Sequence, residues 1–172
     1  MPTEAVAGIS ACPAPNDLET VFRAQYDRIA RVIARVTRDP ARAEELAVEV
    51  FLKSPRHADN IEGWLYRTAV RIGLDELRRQ ARRRRYEGMM RFVRREPTPE
   101  EIHNANQDQN RVRAVLLAIG RQRSELLLLR AEGLGYAELA SAVGLNPSSI
   151  GTLVSRAQQA FKKEYVKRYG TA

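Results

Sequence analysis

The chain has 172 residues, with 29 Lys and Arg against 21 Asp and Glu, for a formal net charge of +8. Its one cysteine, Cys12, excludes an intrachain disulfide, and Cys12 with His57 and His103 gives no metal-ligand cluster. No apolar run nears the roughly 20 residues that span a bilayer, and residues 1–16 lack the basic stretch and unbroken apolar core of a signal peptide. A soluble, cytoplasmic protein with a polyanionic partner is expected.

In chain order, residues 1–16 read as a flexible arm. Leu18, Val21, Phe22, Ile29, Val32, Ile33 and Val36 recur at spacings of three and four and predict a first helix, with Asn16 or Asp17 able to cap it. Asp39-Pro40 reads as N-cap and first helical residue of a second helix. Leu46, Ala47, Val50 and Phe51 give that helix an apolar stripe, Glu44, Glu45 and Glu49 lie on or beside its other face, and Ser54-Pro55 ends it. Asn60 can cap a third helix carrying Ile61, Trp64, Leu65, Ala69, Ile72 and Leu77, which runs into an arginine cluster. Residues 86–110 read as a linker, interrupted by Gly88, Pro97 and Pro99, although Thr98-Pro99-Glu100-Glu101 has the form of a capping box.

The second half has its own rhythm. Val112, Val115, Leu116 and Ile119 predict one helix. Ser124 starts another, through Leu126 to Leu129, with a stop at Gly133. Tyr136 to Val143 is short, and Asn146-Pro147 opens a long last helix through Ile150, Leu153, Val154, Ala157 and Phe161. No segment alternates with period two, so no sheet is expected. The predicted fold is all-α: two small helical domains, residues 17–85 and 111–168, joined by the linker. Domains of this size are marginal alone.

The charge is unevenly placed. Residues 1–70 hold 9 basic and 10 acidic side chains, and residues 96–172 hold 10 basic and 8 acidic. Residues 71–95 hold 10 Arg against Asp75, Glu76 and Glu87, and so supply nearly all of the excess. Arginines concentrated at the end of an amphipathic helix suit a phosphate backbone better than a solvated helix end.

No catalytic apparatus is visible. There is no Gly-rich phosphate loop, no His-Glu-x-x-His and no nucleophile beside a base. The acids Glu44, Glu45 and Glu49 have no His or Cys near them and read as a protein-binding face. No enzyme activity, catalytic residue, cofactor or metal is expected.

The strongest local signal is Gly133 to Arg156. A short helix with Leu139, Ala140 and Val143 inward precedes Gly144, a tight turn, and a second helix with Ile150 and Val154 inward, which is helix-turn-helix spacing. Ala140 is small where two helices cross, Gly144 suits a positive φ, and Pro147 fits the first helical turn. Ser148, Ser149, Thr152 and Arg156 then occupy the exposed face, where hydroxyls and an arginine can meet phosphates and base edges. Lys162, Lys163, Lys167 and Arg168 extend that face.

These residues resemble the extracytoplasmic-function (ECF) sigma factors of bacterial RNA polymerase. Asp39 to Phe51 is similar to the region 2 helix that docks on the core enzyme. Trp64 to Arg79 is similar to the family's promoter-facing helix, with Trp64, Arg67, Asp75 and the trailing arginines at family positions. The resemblance runs from about Asp17 to Arg168. It implies that region 2 contacts the minus 10 element and region 4, the helix-turn-helix, the minus 35 element. It implies core polymerase, promoter DNA and, where one exists, an anti-sigma factor as partners, without membrane insertion. Carried onto this chain, the core-binding residues are Glu44, Glu45, Val48, Glu49, Phe51 and Leu52. The region 2 DNA contacts are Arg67, Arg71, Arg78, Arg79, Arg82 and Arg83. The region 4 contacts are Ser148, Ser149, Thr152, Arg156, Lys162 and Lys163. The chain departs from the pattern in three places: Val48 and Arg71 stand where many members have Gln and Asn, and the link from Phe51 to Trp64 is short. Other readings of the same residues are a sigma-like DNA-binding regulator that does not recruit polymerase, and a helical protein-binding scaffold.

Overall fold

The computed structural model describes residues 18–55, 60–91 and 105–170. Every regular element among them is a helix: α1 (Leu18–Thr37), α2 (Pro40–Leu52), α3 (Ile61–Arg91), α4 (Ala105–Ala118), α5 (Arg121–Ala131), α6 (Tyr136–Val143) and α7 (Pro147–Tyr169). The N-terminal arm, Cys12, both histidines and the Thr98-Pro99-Glu100-Glu101 capping box lie outside the described residues.

Local chemistry sets the boundaries. Asp39 takes an extended backbone, and its carboxylate accepts the Arg42 N–H at 3.0 Å, with Pro40 in the first turn of α2. Asn60 does the same for α3, its Oδ1 accepting the Gly63 N–H at 2.8 Å. Asn146 caps α7 by accepting the Ser148 N–H at 3.0 Å. Gly144 closes α6 in the left-handed region (φ 68), and the next N–H, of Leu145, returns to the Ala140 carbonyl at 3.0 Å.

Three boundaries differ from the sequence reading. α5 begins at Arg121, after Gly120 at φ 91, and so before Ser124. Ser124 sits inside the helix, fully buried, and donates to the carbonyls of Leu116 and Gly120. α3 continues to Arg91 and α4 begins at Ala105, so both ends of the expected linker are helical. Arg, Met and Gln are good helix formers, and the roughly 1 kcal/mol penalty of Gly88 does not stop the run.

α1 packs on both α2 and α3. Ile29, Val32 and Ile33 of α1 are buried against Ala47, Val50 and Phe51 of α2 and Leu65, Ala69, Val70 and Leu74 of α3. Gly73 lets α1 and α3 approach closely: a Cβ there would stand 3.3 Å from Val36 Cβ. α3 also packs on α4, α5 and α6. The main core is therefore continuous from the first half into Leu126, Leu129, Leu139, Ala140, Ile150 and Val154 of the second. A smaller cluster of Val115, Leu116 and Ile119 joins α4 to Phe161 and Tyr165 of α7. The two halves share one apolar interior, where the sequence suggested two small separate ones.

Candidate nucleic-acid and protein interfaces

α2 turns its leucine and alanine stripe inward. Val48 and Leu52 are left at 42% and 80% exposure. Glu44 and Glu45 are exposed beside them and Glu49 is half-buried. Positions 45, 48, 49 and 52 follow the i, i+3, i+4, i+7 rhythm, so acids and two apolar side chains share one surface. Arg42 pairs with Glu45, which holds the guanidinium pKa above its ordinary value, and Lys53 pairs with Glu49 at 3.3 Å. Phe51 does not belong to this surface. It is 3% exposed, its ring edge-on to Phe22 at 4.8 Å and 6.3 Å from Tyr26. As a member of the apolar stripe, its ring gains more by entering the core than by facing water.

The six arginines singled out on α3 divide into three groups. Arg67 and Arg71, one helical turn apart, both donate through Nε to Glu125 Oε1 of α5, each at 2.9 Å. Glu125 is 4% exposed. Arg78 pairs with Asp75 at 2.9 Å and Arg79 with Glu76 at 3.8 Å, both within the helix. Arg82 and Arg83 are exposed, as are Arg84 and Arg85. The arginine block is thus open to solvent at its far end and turned toward the C-terminal half nearer its start.

Other polar contacts cross the same seam. Arg35 meets Glu132 at 2.9 Å, Asn60 donates to Ser141 at 2.8 Å, and Arg121 donates to Asp75 at 3.2 Å. Arg113 donates to the Val36 carbonyl. Tyr66 lies beneath the Arg28 guanidinium at 5.0 Å, and burial pushes its hydroxyl pKa up. Sequence reasoning passed over Glu125. The available signal was a single acid placed against the four-leucine run Leu126–Leu129, where a lone carboxylate needs a cation.

α6 and α7 are joined by the three residues Gly144 to Asn146, and they pack together through Leu139, Ala140, Val143, Ile150 and Val154. Ser148, Thr152 and Arg156 recur at four-residue spacing and are exposed, as are Lys162 and Lys163. Ser149 is half-buried, and its hydroxyl donates to the Asn146 carbonyl at 2.9 Å. The Ser148 hydroxyl donates to Asn146 Oδ1 at 2.9 Å. Both serines therefore help to shape the start of α7. Further along, Arg168 pairs with Glu164 at 2.6 Å, which holds the Glu164 carboxyl below its usual range.

No group of three or more His, Cys, Asp or Glu that could hold a metal occurs among the described residues. No helix among them is long and apolar enough to cross a membrane.

Comparison with known proteins fits this arrangement. The family described as Sigma-70 region 2 matches residues 21–83, which take in most of α1, all of α2 and most of α3. The chain is 26% identical to the ECF RNA polymerase sigma factor SigE of Mycolicibacterium smegmatis, over 98% of this chain and 67% of that protein. It is also 26% identical to the RNA polymerase sigma factor YlaC of Bacillus subtilis, over 88% of this chain and 94% of that protein. The chain is thus similar to Sigma-70 region 2 across the helices that carry the acidic face and the arginine block, and similar to two bacterial sigma factors along most of its length.

Proposed function

We propose that this chain is an extracytoplasmic-function sigma factor, which binds core RNA polymerase through the acidic-apolar face of α2 and carries it to promoters read by α3 and α7. The observation that carries the reading is the chemical contrast between exposed faces of one chain. α2 offers Glu44, Glu45, Val48, Glu49 and Leu52, a surface that repels DNA and suits a basic protein partner. α3 and α7 offer arginines, lysines and hydroxyls, which suit phosphates and base edges. The residues 17–85 act as region 2 and 111–168 as region 4, with α6 and α7 as its helix-turn-helix. The chain supplies recognition, and the polymerase supplies the bond chemistry, in the cytoplasm where both partners are found.

In the present packing Arg82 and Arg83 are open to a phosphate backbone, whereas Arg67 and Arg71 are held by Glu125. Region 2 gains those two arginines for DNA only when the seam parts at Glu125.

Run-off transcription with purified core polymerase tests the whole reading. Promoter-dependent transcripts should need this protein. DNA binding without transcript would leave a regulator that does not recruit polymerase, and neither activity would leave a protein-binding scaffold.

Two variants, one double and one single, test the faces separately. Leu52→Asp with Glu45→Lys alters exposed side chains only, so the fold should be unchanged while core affinity falls about tenfold or more. An unaltered pull-down would move core binding off α2. Arg156→Ala should weaken promoter binding by roughly 1–3 kcal/mol. Equal affinity in a gel-shift series would remove Arg156 from the reading face.

A further inference from the structure

A pocket of about 440 Å³ opens between the α1–α2 turn, α4 and the second half of α3. Its lining includes Arg38, Arg84 and Arg113, with Gln80, Asn110 and Asp39. The volume falls in the range of about 300–1,000 Å³ usual for small-ligand sites.

The buried cation in its lining is Arg113. Arg113 is 8% exposed, and it uses one of its five N–H donors on the Val36 carbonyl. Among the described residues no carboxylate pairs with it; the nearest charges acting on it are the cations Arg38 and Arg84. Burial, with the repulsion of those two, pushes its pKa down to about 10, so it stays charged near neutral pH. Asp39 is the acid in the lining, and its Oδ1 is committed to the Arg42 N–H that begins α2. A buried cation that lacks a counter-ion is costly. Guanidinium groups that converge on a cavity present forked donors matched to an oxyanion. Gln80 and Asn110 add amides, which can donate or accept beside such an anion.

We propose that this pocket binds the phosphate group of a small molecule, gripped by Arg84 and Arg113 with Arg38 beside them. A phosphate in the backbone of duplex DNA would meet the exposed Arg84 more readily than Arg113, which is 8% exposed. The site draws Arg84 from α3 and Arg113 from α4, so an occupant ties the two halves together and stabilises their packing. It is independent of the polymerase and promoter reading.

The test is thermal unfolding of the full chain at fixed ionic strength, with inorganic phosphate, pyrophosphate or GDP replacing chloride. At a hundredfold excess over its Kd, the best of the three should raise Tm by roughly 5–10 °C. Titration calorimetry should give one site per chain, and the order of affinity tells a free anion from a nucleotide. Arg84 is exposed, so Arg84→Ala should fold normally and lower affinity about tenfold or more. Arg113→Lys keeps the charge, loses the fork and should also bind weakly. No shift with any of the three probes overturns the proposal. So does an equal shift in the wild type and Arg84→Ala, and so does a loss in Arg84→Ala confined to duplex DNA binding.

Discussion

A Glu125→Gln chain should unfold about 2–3 kcal/mol more easily than the wild type and still bind promoter DNA more tightly. The first effect follows from the geometry. One buried carboxylate oxygen serves two guanidinium groups, each at 2.9 Å. Breaking a buried pair typically costs about 3–5 kcal/mol, because the remaining charge is stranded. The figure is lower here because the Arg67 and Arg71 side chains keep 29% and 38% of their exposure and are partly solvated. The second effect follows from the proposed role of the same arginines. Released from Glu125, they become available to phosphates and base edges. Stability and affinity then move in opposite directions, which general damage to the fold does not produce. Urea unfolding with an unchanged m-value and a gel-shift titration measure the two quantities. Affinity that falls with stability would falsify the promoter role of Arg67 and Arg71.

Leu129→Ala should destabilise the chain by about 2–5 kcal/mol, the range for a fully buried leucine whose site collapses only in part. Leu129 is 0% exposed and belongs to the core that runs from α1, α2 and α3 into α5, α6 and α7. The form of the transition is as informative as its midpoint. A shared interior predicts one cooperative unfolding step in both proteins, with secondary structure and Trp64 fluorescence lost together. Trp64 packs on this core from the first half, so it reports on damage made in the second. Two separate steps, with Trp64 unaffected by the first, would mean that the halves are energetically independent.

Much of the fold was legible because helix signals are local. Asp39-Pro40, Asn60 and Asn146-Pro147 announce their helices through side chains that satisfy nearby backbone N–H groups. The inward residues of α1, α2 and α6 follow directly from spacing. α5 was harder: Ser124 looks like a cap, but Gly120, at positive φ, precedes the first turn and Ser124 bonds back to Leu116 across the α4–α5 corner. The two sets proposed to face DNA are exposed as their helix spacing predicts, Thr152 and Arg156 on α7 and Arg82 and Arg83 on α3. The partnership of Arg67 and Arg71 with Glu125 was not legible. It joins residues more than fifty positions apart, and no periodicity in either helix encodes it. Phe51 had two readings: spacing put it in the apolar stripe of α2, where it is buried, and the resemblance put it on the core-binding face, which it does not reach. Its ring partners there, Phe22 and Tyr26, come from α1 and could not be named from the spacing of α2.

The rim of the seam has a consequence for how the chain responds to its medium. Arg35–Glu132 and Arg121–Asp75 are partly exposed pairs, with Arg35 66% and Arg121 49% exposed, and salt screens such pairs. The leucines inside the seam are indifferent to salt, or hold more firmly in sulfate or phosphate. Raising ionic strength therefore acts on two sides of one equilibrium. It weakens the grip proposed for Arg82 and Arg83 on a polyanion, and it loosens the rim of the seam in which Arg67 and Arg71 are held by Glu125. Log affinity for DNA plotted against log salt should fall less steeply than a tally of the arginines proposed to face DNA implies, and replacing both rim acids should restore the steeper line.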